Sequence, residues 1–213
     1  MPRAGNNPAV AGKMRLFSPI EPRAMHPVTA VANHLIQRAI ESGKTLTGGQ
    51  LHNLVYFAHG LRLAMVNDPL LDEAVLADAE GVLLQGLRVH GIIGERPVNG
   101  LLLLLVKRAD GRIDDDTPTL PPDDPALATL DMVWQRFGSF SAQHMGFFVR
   151  SGDGPWDLAW NAPERSDRDT ITVANSSIRA WFRGLLIQEN KDRQNADGLE
   201  ETVMLSRMNS PKR

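Results

Sequence analysis

The residues best suited to chemistry lie in one stretch, "TGGQLHNLVYFAHG", residues 47–60, which holds His52, His59 and the chain's single tyrosine, Tyr56. Imidazole and phenol are the groups a proton-transfer row would use. Two imidazoles are also the beginning of a zinc site. The spacing speaks against a simple metal pair. His52 and His59 are seven residues apart, two helical turns, or roughly 10 Å between backbone positions. His26, His34, His90 and His144 have no partner at ligand spacing. The acids of "DGRIDDDTPTLPPDD", residues 110–124, are broken by prolines and lack the closing glutamate of a calcium loop. "SGDGPW" has glycines but no lysine after them, so it is not a phosphate-binding loop. No serine sits in a nucleophile-elbow sequence. No catalytic set, metal site or cofactor is nominated, and a non-enzymatic role is expected.

Binding chemistry has more candidates. Trp156 and Trp160 lie four apart after a Gly-Pro turn and read first as core or a lid, then as interface anchors. Phe17 and Ile20, near the N-terminus, could dock on the body or on a partner. Arg179 and Arg183 are a turn apart and, with Arg62, would make a basic patch able to track phosphates. They suit a solvated face or a partner's acids equally well. The run "LLLLLV", residues 101–106, reads as a buried strand. If one side is exposed, it invites pairing with another chain.

The whole chain narrows the classes. Its 213 residues suit one domain with a substantial core. A formal charge of -2 gives no general reason to bind nucleic acid or an anionic membrane. The chain has no cysteine, which removes disulfides and thiolate chemistry and fits a reducing compartment. No apolar run approaches the ~20 residues of a membrane span. A cytoplasmic location is expected.

The elements that would position these residues follow from periodicity. Residues 1–25, rich in proline, glycine and alanine, read as a flexible arm. A helix is expected from about Pro27, with Val28, Val31, Ala32, Leu35, Ile36 and Ala39 inward and Gly43 as its stop. The stretch 47–60 opens a second helix. Thr47 and Gln50 have capping-box spacing, and Leu51, Leu54, Val55, Ala58, Leu61 and Met65 form its buried stripe. His52, Tyr56 and His59 would then be its outer stripe. Leu70–Val75 reads as a short extended piece, and Gly81–Val89 as a helix weakened by two glycines. "GLLLLLVKRADGRI" reads as a hairpin. Three more helices are expected. The first is capped by Asp123 or Asp124, with Leu127, Leu130, Val133, Trp134 and Phe137 inward. The second is capped by Ser139 or Ser141, with Ala142, Met145, Phe148 and Val149 inward. The last carries Ile178, Trp181, Phe182, Leu185 and Leu186. Residues 191–213 read as a polar, mobile tail with room for a short helix at Leu199–Met208. The expected fold is a mainly helical, compact multi-helix domain over residues 26–190 with a small β-hairpin.

Several of these segments together resemble the Panacea domain family. Val31-Ala32-Asn33, then "LHNLVYFAHG" at residues 51–60, then Pro69-Leu70-Leu71 match its opening block in order. Val133-Trp134, Phe137-Gly138, Ser141-Ala142 and Pro155-Trp156 match a second block. The likeness spans roughly residues 27–182. It departs at residues 77–86, where the family has an aromatic and proline-rich segment, and at Asn53, where it has lysine. What the resemblance implies is an antitoxin-like protein of prokaryotic or mobile-element origin. Such a protein binds a cognate toxin, neutralising it or delivering it to protease machinery. Candidate contacts are His52, Tyr56, His59, Trp156, Trp160 and Phe17. For His59 itself, a structural hydrogen-bonding role is favoured over a binding or catalytic one. The alternatives are a nucleic-acid-associated regulator using Arg62, Arg179 and Arg183, a protein-interaction module outside toxin biology, and, last, an enzyme.

Overall fold

A computed structural model describes residues 25–163 and 169–208, with side-chain surroundings defined up to residue 192. Phe17 and the expected arm, apart from Met25, lie outside the described residues.

Helix α1 runs Val28–Glu41 and buries the six apolar residues its periodicity predicts. It ends at Ser42, and Gly43 follows at φ +64°, a left-handed conformation that glycine adopts without steric cost. Helix α2 runs Gly48–Val66. Its capping box is present as the spacing predicts: the Thr47 hydroxyl accepts from Gln50 N–H, and the Gln50 side chain accepts from Thr47 N–H at 2.8 Å. Asn67, in the left-handed conformation, closes it.

α2 is not a surface helix with one apolar stripe. Tyr56, Phe57, His52, His59, Gly60, Arg62 and Leu63 are buried along with Leu51, Leu54, Val55, Ala58 and Leu61. It is surrounded by α1, by α4 (Ala126–Phe137), by α5 (Ala142–Val149) and by α7 (Asn175–Met208). Each large apolar side chain buried this way contributes about 1.5–3 kcal/mol over leaving it in water. This one helix therefore anchors most of the core. Met65, expected in the stripe, is exposed near the free end.

Between α2 and α4 the chain departs from expectation. The expected helix over Gly81–Val89 is replaced by strand β2 (Gly81–Leu83) and a single turn, α3 (Gln85–Arg88). Strand β1 (Leu76–Asp78) pairs with β2 on one side and β5 (Ile171–Thr172) on the other, both antiparallel. Asp78 drives the reversal: its carboxylate accepts the N–H groups of Glu80 and Gly81. Leu70–Val75 is an extended connector whose Leu71 bridges to His26.

The expected hairpin is present as β3 (Leu104–Lys107) and β4 (Ile113–Asp116). Its burial is not as expected. Leu101, Leu103 and Leu105 are exposed, Leu105 by 76%, because no second layer among the described residues covers their face. Its base is tied to α1 by Asn33. The Asn33 amide donates to the carbonyls of Leu102 and Pro118 and accepts from Leu102 N–H at 2.7 Å.

In α4, Asp124 accepts from Ala126 N–H, and Leu130 and Val133 are buried while Leu127, Trp134 and Phe137 are half-buried. Ser141 caps α5 by accepting from His144 N–H. Met145 and Val149 point inward there, but Phe148 is exposed, against expectation. Trp156 and Trp160 lie on a short helix, α6 (Pro155–Trp160), not in a turn. α7 buries Ile178 and Phe182, exposes Leu185, and runs on to Met208 as one helix instead of stopping at Asn190. The fold is mainly helical with a minor β component, as expected. Among the described residues no helix is long and apolar enough to cross a membrane.

Candidate partner-binding site

His52 and His59 are both inside the protein, 6% and 0% exposed. Each has the same arrangement. His52 Nδ1 accepts from Leu84 N–H at 3.3 Å, and its Nε2 lies 2.9 Å from the Ile92 carbonyl. His59 Nδ1 accepts from Leu70 and Leu71 N–H, and its Nε2 lies 2.9 Å from Asn175 Oδ1. Backbone N–H groups only donate, so Nδ1 is the bare nitrogen in both rings and Nε2–H is the donor. Burial holds both imidazoles below their ordinary pKa, opposed in part by the Ile92 carbonyl and by Asn175. Both are neutral, with every ring nitrogen engaged by the chain itself. They fasten the connector and α3 region to α2, and His59 also fastens the start of α7. Neither is left to bind a metal or move a substrate proton. Among the described residues no group of three or more histidine or acidic side chains is gathered for a metal.

Tyr56 is fully buried, edge-on to Phe182, with ring centroids 5.5 Å apart. Its hydroxyl has no hydrogen-bond partner among the described residues, and burial pushes its pKa far up. It is a core ring with an unsatisfied polar tip. Replacing Tyr56 with Phe is expected to raise stability by about 1 kcal/mol, because a desolvated, unpaired hydroxyl is removed. Urea denaturation checks this, and a loss of stability would mean the hydroxyl has a partner.

The other candidates separate. Trp156 is buried, donates to the Asp78 carbonyl at 3.0 Å and stacks on half-buried Trp160 at 6.1 Å. These tryptophans hold α6 to β1. Arg62 is 4% exposed and paired with Asp68 at 2.8 Å, so it does not join Arg179 and Arg183 in a surface patch. Arg179 is half-buried and Arg183 exposed, both on α7.

The structure gathers a different set. Phe148, His144, Phe140, Phe137, Phe57 and Phe182 form an unbroken series of ring contacts, with centroid separations between 4.5 and 5.9 Å. Tyr56 and Trp181 extend it from Phe182. The series runs from the core to the surface. Its outer half lines a groove of about 430 Å³ between the end of α4, α5 and α7. Phe57, Phe137, Phe140, Phe148, Trp181 and Leu185 supply the apolar wall. Arg136, paired with Glu189 at 2.7 Å, and Asp192 form a polar rim. Past Phe148 a second concavity, about 590 Å³, is lined by His144 and Phe147. Phe147 is 66% exposed, Phe148 43% and Leu185 44%.

Sequence reasoning did not nominate this site. Five of its aromatic side chains come from helices far apart along the chain. One signal was present: apart from Phe17, every phenylalanine lines the groove or its neighbour.

No family model, no curated protein and no solved structure matches the chain.

Proposed function

We propose that this protein is a binding module, and that the groove between α4, α5 and α7 receives an apolar anchor from a protein partner. The carrying observation is a cluster of exposed aromatic and aliphatic side chains: Phe148 and Leu185 line the groove, and Phe147 lines the concavity beside it. With the other aromatics among the described residues buried or half-buried, leaving two phenylalanines in water gains nothing in stability. Large rings in a concave, partly desolvated site are the usual energetic centre of an interface. The rim defines the partner further. Arg136 is matched by Glu189, and Asp192 adds a further acid. The fitting partner is a helical or extended segment with one or two bulky apolar residues beside a basic one.

Within that reading, the antitoxin-like role remains the favoured biology, in which the partner is a small toxin held inactive or passed to degradation machinery. It rests on the order of the Panacea-like motifs in the sequence. The nucleic-acid alternative is weakened because Arg62 is internal.

The test has two stages. The protein is used to capture small proteins from its native host, and the best-captured one is expressed alone and together with this chain. The expected result is growth arrest by the small protein alone, relief on co-expression, and loss of both capture and relief in Phe148→Asp. Phe148 is exposed, so the variant is expected to stay folded. Capture unaffected by Phe148→Asp would overturn the groove. Capture without toxicity would leave a binding module and remove the antitoxin role.

A further inference from the structure

The β3–β4 hairpin lies apart from the groove and has its own unsatisfied surface. The register pairs Leu104 with Asp116, Leu105 with Asp115, Val106 with Asp114 and Lys107 with Ile113. Arg108 N–H donates to the Arg112 carbonyl at 2.8 Å, just before the turn. Bonded and non-bonded pairs alternate in an antiparallel ladder. Val106 and Leu104 therefore direct their backbone groups toward β4, while Leu105 and Lys107 direct theirs away from it. Among the described residues β3 has no strand on that outer side. The same edge carries uncovered aliphatic side chains, Leu103 at 48% and Leu105 at 76% exposure, with Ile113 at 66% beside them on β4. A bare edge next to an apolar face is a template for strand addition.

We infer that β3 pairs antiparallel with β3 of a second copy of this chain, about a two-fold axis at Leu105, giving a four-stranded sheet. Charge selects both the edge and the direction. Joining two β4 edges would set Asp114, Asp115 and Asp116 of one copy against those of the other, and like charges facing each other are destabilising. A parallel β3 pair would align Lys107 with Lys107 and Arg108 with Arg108. The antiparallel pair places Leu105 opposite Leu105 and Leu104 opposite Val106. Lys107 falls opposite Leu103, where its aliphatic stem covers the leucine and its ammonium reaches water. The two-fold also closes the assembly. Both outer edges of the new sheet are acidic β4 strands, which resist further addition, so the product is a dimer and not a fibre.

One short strand per copy is a small interface, so the dimer is weak, with a dissociation constant on the order of 10–100 μM. Sedimentation of the full chain across that range is expected to show the mass rising from the 23.4 kDa monomer toward twice that value. Leu105→Pro removes the outward-facing N–H without touching the bonds to β4, since proline is tolerated at an outer strand edge. It is expected to remain monomeric at every concentration. The chain has no cysteine, which permits a second measurement. Leu105→Cys is expected to oxidise to a covalent dimer, because opposed residues in a bonded pair lie about 5.5 Å apart at Cα, within disulfide reach. Val89→Cys, exposed by 69% elsewhere on the surface, is expected to cross-link far more slowly. A wild-type chain that stays monomeric throughout overturns the inference. So does a dimer that survives Leu105→Pro, one abolished by Phe148→Asp, or equal cross-linking by the two cysteine variants.

Discussion

Gly60→Ala is expected to lower stability by about 3 kcal/mol, although alanine is the better helix former by about 1 kcal/mol. Gly60 lies inside α2 against α7, and a methyl group there would overlap the Phe182 ring. That ring borders the groove but is packed against aromatic neighbours on its other sides. It is held edge-on by Tyr56, Phe57 and Trp181 at centroid distances of 5.5, 5.9 and 4.9 Å. Overpacking is relieved cheaply only when the neighbour is the free end of a flexible chain, and here it is a ring locked among rings. The strain must move α7 away from α2. In a chain of this length 1 kcal/mol shifts the melting temperature by about 2–4 °C, so a fall of about 10 °C is expected. Gly184→Ala is the control. Gly184 is an exposed position in α7 with nothing near its would-be methyl, and there the substitution is expected to stabilise by up to about 1 kcal/mol. If both variants melt with the wild type, the close approach of α2 and α7 described above is wrong.

The second large effect is acid sensitivity. His52 and His59 are buried as neutral rings with folded-state pKa values below the unfolded value of 6.5. Below about pH 6.5 the unfolded chain therefore binds protons that the folded chain excludes. Stability is complete above that pH and falls as the solution is acidified. Each histidine contributes a slope of at most about 1.4 kcal/mol per pH unit, and the two together about twice that. Denaturant melts at pH 7.5, 6.5 and 5.5 measure it. His59→Ala separates the two roles of the residue. At pH 7.5 it is expected to cost about 3 kcal/mol, since the N–H groups of Leu70 and Leu71 lose their partner in a buried site and a cavity replaces the ring. Below pH 6.5 the same variant is expected to lose about half of the wild-type slope. A flat wild-type profile, or a variant keeping the whole slope, would show that the imidazole is not held neutral.

These two residues also mark where the sequence stops being legible. The start and stop of α1 and α2 are local chemistry: Thr47 with Gln50, Asn67, and glycine at position 43. So are the apolar faces that meet between them. What surrounds α2 is not local. Its outer stripe of His52, Tyr56 and His59 looked polar, and polar residues usually face water. They are internal because the chain 70–92 and the start of α7 fold over that side, bringing backbone N–H and C=O groups that two imidazoles can satisfy. The three-residue strands β1 and β2 were missed because alternation over three positions cannot be distinguished from half a helical turn. Phe148 was placed inward because it is large and apolar. The structure keeps Met145 and Val149 inward, as expected, and leaves Phe148 at the groove.

The chain of rings from Tyr56 to Phe148 suggests how such a protein diversifies. Its inner members, Tyr56, Phe57 and Phe182, are buried in the core, where a change of size disturbs the packing. Phe148 at its outer end, and exposed Phe147 beside it, contribute little to the core and are free to vary. If the groove receives a partner as proposed, related chains can exchange partners by altering α5 and the facing side of α7 while the 51–60 stretch stays fixed. Relatives of this chain would then be most alike where they do not touch a partner and least alike where they do. In a saturation mutagenesis screen, losses at His59 and Gly60 should track with protein abundance. Losses at Phe147 and Phe148 should appear at normal abundance.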